Sequence, residues 1–171
     1  MELLIPGLIL VALMVWASTK IKRSAANAFD AEHVEGDGFA VDKPAGFLNR
    51  YNAHSELLFD AYSKDFGTES AKNVRAATAV VFATDEPLFE AAALEQSRLL
   101  NSDRSERFDL GGARCIIVTG ELERDGHRFN VSEKLLECGS QTRVLKTEAL
   151  QETSPELVRK IEQMLVSFSP R

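Results

Sequence analysis

The sequence has few of the residues that build most metal and redox sites. It contains two cysteines, Cys115 and Cys138, and three histidines, His33, His54 and His127, among 171 residues. The histidines show no metal-ligand spacing with one another or with the cysteines, which argues against a zinc site. Two cysteines cannot build a disulfide framework, and in a cytoplasmic domain we expect both to be reduced thiols.

Catalytic signatures are missing too. The chain contains no G-x-S-x-G, P-loop, G-x-G-x-x-G, H-E-x-x-H or C-x-x-C sequence. Ser63 and Lys64 are adjacent, but neighbours on a strand point to opposite faces of a sheet, so they cannot act as a local pair. We therefore assign no catalytic residue, no cofactor and no metal ligand, and the sequence leaves the biochemical activity open.

Positive charge is scarce in most of the chain. The formal net charge is −6, and no basic run follows Arg23. A protein that binds nucleic acid needs a clustered basic surface to contact phosphates. The composition therefore argues against a nucleic-acid partner.

Charge is absent altogether from the run between Leu3 and Thr19. A helix over this run would be about 25 Å long, a little less than the roughly 30 Å hydrocarbon core of a bilayer. A cleaved signal peptide has its basic residues before the apolar run, whereas here they follow it. We therefore predict a transmembrane anchor over residues 1–23, with a buried core helix as the alternative.

The basic residues Lys20, Lys22 and Arg23 determine the predicted topology. Basic flanks of a membrane helix tend to stay in the cytoplasm. This predicts a single-pass protein of the bacterial inner membrane, with its N-terminus outside and its C-terminal domain in the cytoplasm. The expected partners are the lipid bilayer and another membrane protein or complex.

The rest of the chain divides into a stalk and one domain. Residues 24–38 begin Ala-rich and end in carboxylates and glycines, which predicts a helical stalk and an acidic linker. Residues 39–171 suffice for one hydrophobic core. The patterns predict strands at Phe39–Asp42, Leu57–Phe66 and Val74–Ala83, a polar loop at Asn101–Arg107, and helices that begin near Pro87 and Ser154. A helix over Glu56–Tyr62 is an alternative, and Asp85 or Glu86 is the expected cap of the first helix.

The region from Ala113 to Leu150 has the clearest pattern. Asp125-Gly126 is a preferred pair for a two-residue hairpin turn. With this pair at the turn, Leu122 faces Phe129 and one face of the hairpin is apolar apart from Glu133. A slip of one residue would place charged side chains on that face, so turn chemistry and hydrophobic pattern predict the same register.

Glu133 is the one carboxylate on that apolar face. In one register of the following strand, Thr142–Ala149, it lies opposite Lys146, which predicts a buried cross-strand ion pair. A catalytic base with a raised pKa is the alternative interpretation. Cys115 and Cys138 fall together on the other face, where we expect small core residues rather than a redox pair.

These elements predict an α+β fold, in which an N-terminal transmembrane helix precedes an antiparallel sheet of five to six strands packed with helices. The domain contains Phe39-x-Val41-x-x-Pro44-x-Gly46-Phe47, a hairpin, a helix after Pro87, three antiparallel strands and a final helix ending in Ser167-Phe168. This order resembles the PsbP-like α/β/α sandwich, shared by a photosystem II accessory subunit and a Ran-binding nuclear import factor.

The N-terminal segment has a resemblance of its own. Read with Tyr62-Ser63-Lys64-Asp65-Phe66-Gly67, the anchor and stalk are similar to an uncharacterised family of small single-pass bacterial membrane proteins, which implies no activity. Proteins of the PsbP-like fold mostly act as binding or accessory modules, so by analogy, and with the predicted anchor, we expect a non-catalytic, membrane-tethered interaction or accessory module for an inner-membrane complex. The alternatives are a membrane-surface enzyme and a small-molecule or lipid-binding domain with an unrecognised pocket.

Overall fold

The computed structural model describes residues 4–50, 56–108 and 112–171, with side chains in α1 at positions 9–22 and 27. The helices are α1 (Leu4–Asn27), α2 (Leu88–Ser97) and α3 (Pro155–Ser167), and a short 3₁₀ turn covers Glu69–Ala71. The strands are β1 (Glu32–Gly36), β2 (Phe39–Lys43), β3 (Phe47–Asn49), β4 (Leu57–Ser63), β5 (Ala77–Thr84), β6 (Leu100–Phe108), β7 (Arg114–Arg124), β8 (His127–Cys138) and β9 (Gln141–Leu150).

Seven of these strands form one antiparallel sheet, in the order β3-β4-β5-β9-β8-β7-β6, and β1 pairs with β2 in a separate hairpin. The α+β class is thus correct, but the prediction of five to six strands is wrong. Residues 100–108 form the edge strand β6 where we expected a polar loop, and residues 32–36 form β1 where we expected a linker. Both strands lack a buried face, so neither has the apolar alternation by which a strand is recognised.

Helices cover both faces of the main sheet and create two hydrophobic cores. Helix α2 packs on one face, and α3 packs on the other together with β2. The α2-side core includes Leu88, Ala92, Ile116, Val118, Phe129, Val131, Leu135 and Val144. The α3-side core includes Phe39, Val41, Phe47, Cys115, Leu136, Leu145, Ile161, Met164 and Phe168. The layers agree with the predicted α/β/α sandwich.

The β7–β8 hairpin has the predicted register. Leu122 is opposite Phe129, and the register places Glu133 opposite Val118. Asp125 and Gly126 occupy the turn with φ of 54° and 77°, as a type I′ turn requires. The face that was predicted to be apolar is the face covered by α2.

Of the two predicted helix caps, one is confirmed and the other is wrong. Helix α3 begins as predicted: Pro155 is its first residue, and the Oγ atom of Ser154 accepts a hydrogen bond from the Leu157 backbone N–H at 3.3 Å. The predicted cap of α2 by Asp85 or Glu86 is wrong, because Pro87 occupies the cap position without a side-chain cap. The segment from Leu57 to Ser63 is strand β4, not the alternative helix.

Helix α1 presents its apolar side chains to solvent. Those of Ile9, Leu10, Val11, Leu13, Met14, Val15, Trp16 and Ile21 are 57% to 68% exposed. The alternative of a buried core helix therefore fails for the side chains described in α1. In the part of the chain that the structure describes, no helix meets the length and hydropathy required to cross a membrane.

The turn of the β7–β8 hairpin offers a direct test of the fold. Gly126→Val should lower the free energy of unfolding by about 1–2 kcal/mol, because a side chain with a Cβ is strained at positive φ. Apart from the glycine and its two chain neighbours, no atom of the described residues lies within 4 Å of the Cβ that would be added, so the cost is conformational rather than steric. Gly126→Asn is the matched control, since asparagine tolerates this conformation. Chemical denaturation that gave equal losses for both variants would contradict the type I′ turn.

Candidate functional site: a groove beside helix α3

A broad groove of about 1030 Å³ lies between the β1–β2 hairpin and α3. The hairpin contributes Glu32, His33 and Asp42, and the helix contributes Arg159, Glu162, Gln163, Val166 and Ser167. The groove therefore combines an apolar surface with charged groups of both signs. Its size is in the range of sites that bind small molecules or peptide segments.

Lys43 fixes the floor of the groove. Its side chain is 2% exposed, and its ammonium group donates hydrogen bonds to the carbonyl oxygens of Ala28 at 3.3 Å, Asp30 at 2.9 Å and Phe47 at 3.0 Å. The Glu32 carboxylate lies 3.7 Å from the same nitrogen. These contacts satisfy a buried charge, as burial requires. They also tie the chain that leaves α1 to the domain.

The other wall is fixed by the end of α3. The backbone N–H of Asp42 donates to the Ser167 hydroxyl at 2.9 Å, and that hydroxyl donates to the Met164 carbonyl at 2.9 Å. Just beyond the helix, Ala40 and Ser169 exchange two backbone hydrogen bonds of 2.9 and 3.0 Å. The hairpin and the helix end therefore form one rigid frame around the groove.

His33 is the titratable group of the groove with the closest partners. Its Nδ1 atom is 2.6 Å from Asp42 Oδ1, and its Nε2 atom is 3.6 Å from Glu35 Oε1. The hydrogen bond with Asp42 is the largest cause that raises the pKa of His33 above 6.5. Among the residues that the structure describes, the His33 side chain forms hydrogen bonds or ion pairs with these two carboxylates alone. The His33 ring thus has no hydroxyl or thiol nucleophile within hydrogen-bond distance among the described residues.

Glu133 and Lys146, the pair singled out from the sequence, meet elsewhere, beneath α2. Lys146 Nζ lies 2.9 Å from Glu133 Oε1 and 3.7 Å from Glu95 Oε2, and Arg98 pairs with Glu95 at 2.5 Å. The Glu133 side chain is fully buried, while that of Lys146 is 18% exposed. The cluster thus joins the sheet to α2 and lies outside the groove.

Burial dominates the electrostatics of this cluster. It raises the pKa of Glu133 above 4.5; the nearby Lys146 ammonium opposes that rise and the Glu95 carboxylate adds to it. Neither oxygen of Glu133 accepts a well-directed hydrogen bond from the described residues, despite the close ammonium group. Two smaller cavities border the cluster, one of about 320 Å³ at Lys146 and one of about 210 Å³ at Glu95, and Glu133 lines neither. Its position suits a structural pair rather than a catalytic base open to substrate.

The topology residues lie near the C-terminal end of α1. Lys20 and Lys22 are exposed, and the Lys20 ammonium lies 5.1 Å from the centre of the Trp16 ring. The side chain of Arg23 falls outside the described residues. Among the described residues, no group of three or more His, Cys, Asp and Glu side chains is arranged to hold a metal ion, and His54 lies outside that set.

Sequence reasoning missed the groove and its central lysine, although one signal was present. Phe39, Val41 and Lys43 alternate along β2, so a strand that buries the first two must also bury the third. The same logic applies to Glu95, which follows the buried Ala91 by one helical turn. The groove itself had no signal, because its two walls are more than a hundred residues apart in sequence.

Solved structures with the same fold have remote sequences. A protein from Bacteroides thetaiotaomicron matches 84% of this chain with a TM-score of 0.55 and 11% identity, and this chain spans about half (49%) of its length. LpqN of Mycobacterium tuberculosis matches 82% of this chain and 90% of its own, with a TM-score of 0.57 and 13% identity. Cyanobacterial PsbP (CyanoP) of Synechocystis sp. PCC 6803 matches 84% of this chain and 94% of its own, with a TM-score of 0.54 and 9% identity.

These likenesses support the PsbP-like fold of the domain and nothing finer. No protein-family model and no curated protein matches the sequence. The comparisons give no support to the resemblance to small single-pass membrane proteins. The fold is therefore established by structural similarity, while the function has to be argued from the molecule itself.

The buried cluster predicts a specific dependence of stability on pH. The raised pKa of Glu133 means that the folded state holds this proton more tightly than the unfolded state does. Its contribution to stability therefore falls as the pH rises from about 4.5 through the folded-state pKa. Lys146→Met should deepen this fall and lower the free energy of unfolding at neutral pH by roughly 3–5 kcal/mol, because it leaves a buried carboxylate unneutralised.

The double variant Glu133→Gln/Lys146→Met is the control for that prediction. It removes both charges, so denaturation across pH 4 to 8 should recover much of the loss and show a flatter pH profile. A double variant as unstable as Lys146→Met would show that packing, rather than the charge of Glu133, controls stability at this site.

Proposed function

We propose that this protein is a membrane-tethered interaction module, in which α1 holds the domain at the bacterial inner membrane and the groove receives a segment of another membrane protein. The observation that carries the proposal is the exposure of apolar side chains along α1. Eight of them, from Ile9 to Ile21, are each more than half exposed. Such a surface is costly in water, and lipid is the solvent that would cover it.

The dimensions and charges of α1 suit a membrane anchor. The helix has 24 residues and is therefore about 36 Å long. Its uncharged run extends from Leu3 to Thr19 and is thus longer than the part with described side chains. Lys20 and Lys22 follow this run, and the Lys20 ammonium lies beside the Trp16 ring, which suits an interface where aromatic rings and ammonium groups contact headgroups. The basic flank supports a topology with the domain in the cytoplasm.

The position of the groove supports binding close to the membrane. Ala31 and Glu32, which line it, follow α1 by only a few residues. Lys43 binds the connecting carbonyl groups of Ala28 and Asp30, so the groove is held at the base of the helix. A partner in the same membrane would therefore meet the groove without a long linker, and tethering would raise its effective concentration.

Two alternatives have specific support. The His33–Asp42 pair, with its raised pKa, would suit an enzyme at the membrane surface that uses His33 as a general acid or base. The apolar part of the groove, at Ala31, Pro44 and Val166, would suit a bound lipid or small molecule.

We favour the interaction module because His33 has no nucleophile beside it among the described residues. LpqN, which has a similar fold, is described as involved in cell envelope biogenesis. By analogy this supports a location at the cell envelope, but no specific activity.

The proposed topology depends on the basic flank of α1. A reporter fused after Arg171 should be active in the cytoplasm for the native chain. Changing Lys20, Lys22 and Arg23 to Glu should weaken or invert the orientation, because basic residues near a membrane helix resist translocation. The matched control reverses three exposed basic charges outside α1, at Lys64, Lys72 and Arg128. A native C-terminus outside the cytoplasm would refute both the topology and the cytoplasmic site of action.

Site-specific photo-cross-linking tests the groove. A benzophenone amino acid at Val166, which is 58% exposed and lines the groove, should form an adduct with one other membrane protein in intact cells. The control position is Leu94 on α2, which is 46% exposed and does not line the groove. Adducts at both positions alike would contradict a specific binding surface. An adduct to lipid alone would favour the lipid-binding alternative.

A further inference from the structure

Strand β6 lies at the edge of the sheet, and no described strand pairs with its outer side. It pairs with β7, and no other strand of the described chain pairs with it. It runs for nine residues without proline, and its end residues Leu100 and Phe108 are 56% and 73% exposed. A long open edge presents a row of backbone donors and acceptors to any further strand.

The charges on β6 follow a pattern that limits which strand can pair there. Asp103, Arg104, Glu106 and Arg107 surround Ser105 symmetrically, acid before base on each side. Glu106 forms an ion pair with Arg114 of β7. Within the described residues, Arg104 and Arg107 form no ion pair, so two exposed cations remain for an external partner. Charge of one sign on a sheet edge, such as a row of lysines, would repel a second copy, whereas this edge carries both signs in an order that is complementary to itself.

Pairing geometry tests that complementarity. In an antiparallel pair, directly opposed residues belong to the same class, hydrogen-bonded or non-hydrogen-bonded. When a strand pairs with its own copy, the two-fold axis must therefore pass through a residue that faces itself, not through a peptide bond between two residues. We call that residue the centre of the pairing. Centres at Asp103, Arg104, Glu106 or Arg107 would each place like charges opposite one another, which is unfavourable.

The centre at Ser105 gives the opposite result. It places Asp103 opposite Arg107 of the second copy, and Arg104 opposite Glu106, and symmetry repeats both pairs. A centre at Ser102 would also avoid like charges, but it would use the irregular start of the strand, where the register with β7 shifts between Leu100 and Asp103. The paired segment about Ser105 runs from Ser102 to Phe108 and leaves most of that irregularity outside.

We propose that β6 is a homodimer interface, at which two copies of the chain pair antiparallel about Ser105 to form one continuous sheet. Arg104 and Glu106 lie opposite Val118 and Ile116 of β7, so their intermolecular pairs are on the α2 face. The Asp103–Arg107 pairs are on the other face. The interface uses no residue of the groove beside α3, so it is independent of the function proposed above.

Disulfide trapping in the full chain, in mild detergent, tests the register. In the proposed dimer the Cα atoms of the two Ser105 residues are about 5 Å apart, within the range of Cα separations that a disulfide can bridge. In the same dimer Ser102 lies opposite Phe108 of the second copy. The two Ser102 residues are therefore six positions apart along the strand direction, or about 20 Å. Both serines are half-buried on the same strand, so they form a matched pair. Oxidation should link Ser105→Cys into a covalent dimer and leave Ser102→Cys at the level of the parent chain.

Exchanging the charges of Asp103 and Arg107 tests whether ion pairs between the two copies stabilise the dimer. Arg107→Asp in the Ser105→Cys background should reduce the rate of disulfide dimer formation on the order of tenfold, because two attractive pairs become repulsive. Asp103→Arg/Arg107→Asp exchanges the two charges and should restore it. Equal cross-linking of Ser102→Cys and Ser105→Cys, as association through α1 would give, overturns the proposal. So does the absence of a Ser105→Cys dimer, or a failure of the exchanged pair to restore it.

Discussion

The tight turn at Asp125-Gly126 is the constraint on which most of the structure depends. Positive φ at both residues fixes the register of β7 against β8, and register decides which side chains share a face. The face that results carries Val118, Val131 and other apolar residues under α2. It also carries Glu133 into the core, where only the next strand and α2 can supply its partners. One local conformation therefore sets the hydrophobic core and its most strongly buried charge.

Buried charges then attach the peripheral segments to this sheet. Glu133, Lys146 and Glu95 join the sheet to α2. Lys43 holds the connection from α1 through the carbonyl groups of Ala28 and Asp30, and β3 through that of Phe47. Lys134, only 4% exposed, donates to the Phe168 carbonyl at 2.6 Å and so holds the C-terminal segment. Because each ion loses its hydration on burial, it restricts the backbone that solvates it to a narrow set of positions.

The surfaces with functional potential lie where this core ends. The groove forms where the β1–β2 hairpin meets α3, on one face of the main sheet. The open edge forms where β6, the last strand in the sheet order, has no neighbour on its outer side among the described strands. A rigid sheet that is covered on both faces by helices leaves its margins and attached segments as the places where a partner can bind.

The sequence by itself determined the features that depend on neighbours along the chain. The β7–β8 register and the Ser154 cap of α3 follow from two or three adjacent residues and a short hydrophobic period. Tertiary structure alone decided the rest. Strand β6 has no buried face, so nothing but pairing with β7 makes it a strand. Lys43 gains its oxygen ligands only when the segment after α1 and the start of β3 fold around it. The groove gains its two walls only when segments more than a hundred residues apart meet, because sequence patterns record local periodicity and not which surfaces meet.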